Sequence, residues 1–132
     1  MPGFAGEPLH FAAYVHHHAA VRALLAAGAP INARSNSNMT ALLLAAQTSD
    51  VALVKLLLEH GADVNAVNNF GYTALLFVAA ADGDHAAMVK ELLAKGATVN
   101  LTAKDGQTPL TLASKRGNMG IVRLLKQAGA QE

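Results

Sequence analysis

The same residues return along this chain at a nearly constant interval of 33 to 35 positions. The leucine markers are Leu9, Leu42, Leu75 and Leu110, and the glycine markers are Gly28, Gly61, Gly96 and Gly129. A fixed period of this length is the signature of supersecondary units that bury their apolar faces by stacking on one another. The sequence therefore predicts a single layered domain over residues 1–132. Its units fall at about 1–33, 34–66, 67–101 and 102–132, with the first and last acting as caps.

Each unit has the pattern of two short helices followed by a polar, extended loop. Thr40, Thr73 and Thr108 stand where a side-chain oxygen would cap the first helix, and Glu7 stands there in the first unit. Apolar pairs at positions i and i+3 then predict a buried face on each helix. In the first helices the pairs are Leu9 and Ala12, Leu42 and Ala45, Leu75 and Val78, and Leu110 and Ala113. In the second helices they are Val21 and Leu24, Val54 and Leu57, Val89 and Leu92, and Val122 and Leu125. The glycine marker that follows fits the left-handed position at which helices end.

The amino-acid composition argues against a disordered chain, a nucleic-acid or membrane partner, and cysteine chemistry. The chain is 52% hydrophobic, with 28 alanines among its 132 residues, which is typical of closely packed helices and unlike a disordered segment. Ten basic and nine acidic residues give a net charge of +1, too balanced to indicate a nucleic-acid or membrane partner. Without cysteine there is no disulfide and no thiolate nucleophile. The N-terminal residues lack the pattern of a secretory signal, so the default expectation is cytoplasmic, and a trimmed leader would leave a periplasmic or secreted location open.

The repeated motif resembles that of ankyrin-repeat proteins, in which T-P-L-H-x-A recurs with a 33-residue period. The copies here are EPLHFA at 7–12, TALLLA at 40–45, TALLFV at 73–78 and TPLTLA at 108–113, and LLLEHGADVN at 56–65 is close to the family's usual wording. The resemblance implies an all-α ankyrin solenoid of four stacked helix-turn-helix units with hairpin-like finger loops. Leu43 and Leu76 replace the motif histidine, and Asn38 replaces the hairpin glycine. Asparagine tolerates a positive φ, so we expect that turn to survive. The third unit carries two extra residues near positions 80–84.

The resemblance also implies where a partner would bind. In the family, partners usually meet the concave surface formed by the finger tips and the exposed end of each first helix. The matching positions include Phe4, Tyr14, Met39, Gln47, Asn69, Phe70, Tyr72, Asp82, Lys104, Gln107, Lys115 and Arg116. Aromatic, methionine and arginine side chains are the types that anchor interfaces. Two structural alternatives stay open: Phe70 and Tyr72 cover neighbouring fingers, and Phe4 caps the first unit. The basic group of Lys104, Lys115 and Arg116 either attracts an acidic partner or keeps the last unit soluble.

The predicted function is protein binding, by an array that is expected to be monomeric on its own. An inhibitor or regulator that occludes a specific partner protein, an enzyme for example, is favoured over a scaffold that bridges two proteins. The lengthened turn of the third unit, with Asp82, is a candidate specificity element whose deletion would weaken binding without lowering the melting temperature. The sequence has no nucleophile elbow, phosphate-binding glycine loop or metalloprotease helix motif, so we predict that the chain is not an enzyme.

The run of three histidines, His16, His17 and His18, raises the further alternative of a metal-binding sensor, because imidazole nitrogens bind zinc, copper and nickel. Adjacent residues in a turn point in different directions, and no cysteine, aspartate or glutamate lies nearby in sequence. The sequence therefore predicts no metal and no cofactor. His10 occupies the motif-histidine position, for which the resemblance implies a structural hydrogen bond.

Overall fold

The structure is a computed structural model that describes residues 8–35 and 37–131, and the described residues form eight α-helices. The helices are α1 (Pro8–Tyr14), α2 (His18–Ala26), α3 (Ala41–Gln47), α4 (Val51–Glu59), α5 (Ala74–Ala80), α6 (Ala86–Ala94), α7 (Pro109–Lys115) and α8 (Met119–Gln127). Seven-residue first helices alternate with nine-residue second helices. The predicted pattern of helix pairs is confirmed. Phe4 and the cap predicted at Glu7 lie outside the described residues.

The first helices begin where a threonine hydroxyl satisfies an unpaired backbone amide. The hydroxyls of Thr40, Thr73 and Thr108 each accept a hydrogen bond from the N–H three residues on, at 3.1–3.3 Å. At the start of α7 the Thr111 hydroxyl also accepts from the Thr108 N–H at 2.8 Å, which completes a capping box. The predicted threonine caps are confirmed.

The second helices begin at a different set of side chains. His17, Asp50 and Asn118 occupy the same position in their units, and each accepts from the N–H three residues on at 3.2–3.3 Å. Past the end of each second helix the glycine marker has a φ of 90° to 100°. Only glycine adopts this conformation without strain, so the period of the glycines reflects the need to end each second helix.

The helices stack in two layers. The first helices α1, α3, α5 and α7 pack one on the next, and each packs against the second helix of its own unit. In the second layer, α6 packs against both α4 and α8. The predicted i, i+3 pairs are buried between the layers, with the exception of Leu24, which is half-buried. None of the described helices is both long enough and apolar enough to span a membrane.

Hairpin turns lie between the units, and we call them finger 2 (residues 35 and 37–39), finger 3 (68–72) and finger 4 (103–107). In each, the N–H of the first residue donates to the carbonyl of the last at 2.9–3.1 Å. The fourth residue, which is Asn38, Gly71 or Gly106, has a φ of 60°, 75° or 85°. The expectation that asparagine would replace glycine in the finger 2 turn is therefore confirmed.

A ladder of asparagine side chains joins successive loops. The Oδ1 atoms of Asn32, Asn65 and Asn100 accept from backbone N–H groups of the following loop at 2.8–3.0 Å. The Nδ2 groups of Asn65 and Asn100 also donate to carbonyls of that loop, at 3.2 and 3.4 Å. An amide side chain offers both a donor and an acceptor, so asparagine recurs where one loop must bind the next.

Candidate partner-binding surface

The predicted contact residues within the described range fall into two rows. Tyr14, Gln47 and Lys115 are the last residues of α1, α3 and α7, and their side chains are exposed. The other row lies on the fingers. Each finger comes just before the N-terminal end of a first helix, which is the end opposite to the first row. A seven-residue helix is about 10 Å long, so the two rows are separated by roughly that distance. The structure thus gives an extended surface and not one compact cluster.

Fingers 3 and 4 form an open cleft of about 360 Å³, lined by Phe70, Tyr72, Lys104 and Asp105. We call it the finger cleft. The Phe70 side chain is 71% exposed, far more than a ring that covers a neighbouring finger would be. Large aromatic side chains are enriched among the hot spots of protein interfaces, so an exposed Phe70 is suited to contact a partner. Phe70, Tyr72 and Lys104 are the predicted residues that the structure brings together.

Tyr72 has a structural role beside its place in the cleft. Its ring packs on Phe77 of α5, with ring centroids 5.2 Å apart. Burial raises the pKa of the Tyr72 hydroxyl, and the Asp105 carboxylate raises it further through its negative charge and its hydrogen bond with the hydroxyl. Tyr72 therefore connects α5 to finger 4. The alternative in which the side chain covers a neighbouring finger thus applies to Tyr72, whereas the exposed ring of Phe70 does not cover one.

Fingers 3 and 4 also touch through their backbones. The Lys104 N–H donates to the Phe70 carbonyl at 3.0 Å. Gly71 permits this approach, since a Cβ atom built there would lie 3.1 Å from the Lys104 nitrogen and 3.4 Å from the Ala103 Cα. The relative position of Phe70 and Lys104 is therefore held by main-chain contacts and does not depend on side-chain rotamers alone.

Replacing Gly71 by alanine is expected to destabilise the protein by about 2–3 kcal/mol. An alanine at positive φ costs about 1–2 kcal/mol, and the contact with the Lys104 backbone adds to that cost. Gly106 is the matched control, because it has a similar φ of 85° and nothing within 4 Å of an added Cβ atom. Urea denaturation should show a larger loss for Gly71→Ala than for Gly106→Ala. Equal losses would mean that the finger contact contributes nothing.

Met39, one of the predicted contact residues, has little surface to offer a partner. Its side chain is only 8% exposed, because the residue directly precedes the buried cap Thr40 and finger 3 lies over it. The Asn68 amide contacts the Met39 sulfur, with Nδ2 and Sδ 3.7 Å apart. The Oδ1 atom of Asn68 in turn accepts from the Phe70 and Tyr72 N–H groups at 2.9 and 3.0 Å. Met39 thus supports finger 3 from below.

Two other predicted contact residues bind each other. Arg116 Nη1 donates to Asp82 Oδ1 at 2.7 Å, and Asn118 Nδ2 donates to the Gly83 carbonyl at 2.9 Å. The lengthened turn of the third unit is thereby attached to the last unit. This changes the expectation for its deletion, which would remove structural contacts and lower the melting temperature. The charge of Arg116 is also offset within the protein.

The remaining predicted contact residues are Asn69 and Gln107 on the fingers and Lys115 at the end of α7. Asn69 is exposed. The Gln107 side chain accepts from the Thr111 hydroxyl at 3.2 Å, close to the start of α7, so it supports the helix as well as lining the surface. Lys115 lines a second cavity of about 340 Å³ on α7 with Leu110, Thr111 and Ser114.

The three adjacent histidines are all engaged in the structure. His16 Nδ1–H and His18 Nε2–H both donate to Asp50 Oδ2, at 2.8 and 2.7 Å, while His17 caps α2. His16 has a φ of 62°, and Ser49 and Gly117 at the same position of other units have φ values of 59° and 68°, so this conformation belongs to the turn between the two helices. Within residues 8–35 and 37–131, no group of three histidine, aspartate or glutamate side chains is arranged to hold a metal ion.

Sequence reasoning missed the role of Asp50. It lies 32 to 34 residues from the histidines it binds, which is one unit of the repeat. Burial alone would raise the pKa of Asp50, but the hydrogen bonds from His18, His16 and the Leu53 N–H outweigh it and hold the pKa below its ordinary value. The missing carboxylate could have been found by searching one period along the chain instead of among near neighbours.

The chain matches a family model of ankyrin repeats (3 copies) over residues 4–68 and 61–132. It belongs to the ankyrin-repeat family. No curated protein matches it. Ankyrin repeats are in general protein-interaction modules and are typically not enzymes, so the coarse function predicted from the sequence is supported.

The motif histidine of this ankyrin array is retained only in the first unit, where it is buried. His10 Nε2–H donates to the Ala33 carbonyl at 2.8 Å. In the second and third units Leu43 and Leu76 fill the same position and are equally buried, whereas Thr111 in the last described unit is exposed. The implied structural hydrogen bond of His10 is present.

Proposed function

We propose that this ankyrin array binds a partner protein through its finger cleft and the row of first-helix ends, and that it acts by occluding the bound protein. Four first helices spaced at helix-packing distance give a surface roughly 30 Å long. That length suffices for a standard interface of about 800 Å² on each partner. The resulting function is that of an inhibitor or regulator of one specific protein.

The observation that carries this proposal is the exposed ring of Phe70, which lines one cleft with Lys104 on a backbone that the neighbouring finger holds in place. Binding hot spots combine a large aromatic side chain with a rigid support, because little conformational entropy is then lost on association. The side chains that line the cleft are suited to recognition: two aromatic rings, one cation and one hydrogen-bonded carboxylate.

The test is capture of a partner from the native source by the wild-type chain and by Phe70→Ala. We expect the variant to bind the captured protein about thirtyfold more weakly, the effect of losing a hot spot worth about 2 kcal/mol. The fold should be unchanged, because the Phe70 side chain is largely exposed. Met119→Ala is the matched control, since Met119 is 62% exposed but lies on α8 in the other layer.

An unchanged affinity in Phe70→Ala, with the helical circular dichroism also unchanged, would remove the finger cleft as the binding site. An assay of the captured protein then separates occlusion from bridging. Inhibition in proportion to bound array supports an inhibitor, whereas full activity together with a third captured protein supports a scaffold.

A further inference from the structure

The size and lining of the finger cleft fit one apolar side chain. Rings of Phe70 and Tyr72 contribute its apolar walls. An enclosed apolar cavity of about 150 Å³ is enough to hold benzene, so an open cleft of about 360 Å³ has room for an aromatic or branched side chain and part of its backbone. Because the cleft lies between two fingers, a partner segment that enters it passes close to both.

The two charges in the cleft are not equally available. The Asp105 carboxylate accepts from the Gln107 N–H at 3.1 Å, and its negative charge acts on the Tyr72 hydroxyl and raises the pKa of that group. The Lys104 ammonium is exposed and, among residues 8–35 and 37–131, has no hydrogen-bonding or ion-pairing partner. A carboxylate on the partner would bind the Lys104 ammonium without displacing an existing hydrogen bond or ion pair. A cation would meet repulsion from Lys104 and compete with Tyr72 for Asp105.

The charged groups on the rest of the predicted contact surface also differ in how available they are to a partner. Arg116 is paired with Asp82, so its charge is offset. Lys115, exposed at the end of α7, is a second cation with no ion pair in the part of the chain that the structure describes. Asp105 also has no ion pair among the described residues, but its carboxylate already accepts a hydrogen bond from the Gln107 N–H, whereas Lys104 and Lys115 are free to bind an acidic partner.

We infer that the finger cleft receives a partner segment in which an aromatic or aliphatic residue is flanked by an acidic one. The apolar side chain lies between Phe70 and Tyr72, and the carboxylate binds Lys104. This inference rests on the proposed function and adds to it the chemistry of the bound segment.

The experiment uses short blocked peptides and the amide spectrum of the isotopically labelled chain. The probes are acetyl-Gly-Asp-Phe-Asp-Gly-amide, its lysine analogue with Lys in place of both Asp, its asparagine analogue, and acetyl-Gly-Asp-Gly-Asp-Gly-amide. At millimolar concentration and low ionic strength, we expect the acidic aromatic peptide to shift the amides of residues 70–72 and 104–105. Its dissociation constant should be about threefold lower than that of the lysine analogue, as exposed charge pairs contribute modestly.

The charge reversal Lys104→Glu should invert that preference, while Lys90→Glu, the same change at an exposed position on α6, should leave it intact. Equal or stronger binding of the lysine analogue would overturn the inference, as would binding of the peptide without phenylalanine at the same site, shifts confined to other residues, or no shifts from any probe. None of these results would affect the capture comparison of Phe70→Ala with Met119→Ala, so the two proposals fail separately.

Discussion

Replacing Leu57 by alanine is expected to lower the free energy of unfolding by about 3–5 kcal/mol. Leu57 lies in α4, is fully buried, and belongs to the continuous apolar core that runs through the stacked units. Removing most of its side chain loses the transfer free energy of three carbons and leaves a cavity, which neighbours on both sides restrict from collapsing. The melting temperature should fall by roughly 10–20 °C.

The matched control is Leu24→Ala, the same change at the same position in the first unit. Leu24 is only half-buried, so its replacement should cost about 1–2 kcal/mol. Urea denaturation of both variants measures the two losses in free energy of unfolding. Equal losses would contradict a stack in which interior units are buried from two sides and the first unit from one.

The second large effect is expected at Asp50, whose side chain is 9% exposed. Asp50→Ala removes the cap of α4, worth about 1 kcal/mol, and both histidine hydrogen bonds between the first two units, for a total loss of about 2–4 kcal/mol. Asp50→Asn keeps an oxygen for the cap, as Asn118 does at the same position of the last unit, and should lose about half as much.

The control for Asp50→Asn is Asp82→Asn, which weakens the exposed ion pair with Arg116. An exposed pair contributes at most about 1 kcal/mol, so this change should have a small effect. If the two asparagine variants lost the same stability, the contact of Asp50 with His16 and His18 would not be a significant link between units.

The contribution of Asp50 also has a predictable pH dependence. Its pKa in the folded protein lies below the ordinary value of 3.8, so the unfolded chain binds the proton more readily. The stabilisation is therefore fully present above about pH 4 and is lost as the pH falls through the folded pKa. The stability difference between wild type and Asp50→Asn should shrink over that acidic range. A difference that stayed constant would contradict the assignment.

The fold was predictable because its determinants are local and recur. Thr40, Thr73 and Thr108 cap helices through atoms three residues away, and the glycine markers end helices through their own φ. Asn38 was recognisable as a turn residue for the same reason. Such features depend on short segments of chain, and their repetition in each unit makes an accidental match improbable.

The candidate site was less predictable because its details depend on contacts between units. Position in the repeat placed Met39 on the surface, but finger 3 covers it. Asp82 and Arg116 were both assigned to a partner, yet they pair with each other across one period. The link from Asp50 to His16 and His18 is of the same kind. A one-period comparison for complementary charges would have found these pairs, whereas the burial of Met39 required coordinates.

The most direct test of the central claim, that the finger cleft binds a partner protein, is hydrogen exchange of the array with and without the captured protein. We expect slower exchange of the amides in residues 68–72 and 103–107 in the complex, with α2, α4, α6 and α8 unchanged. Protection confined to those second helices, with both fingers exchanging as in the free chain, would contradict it.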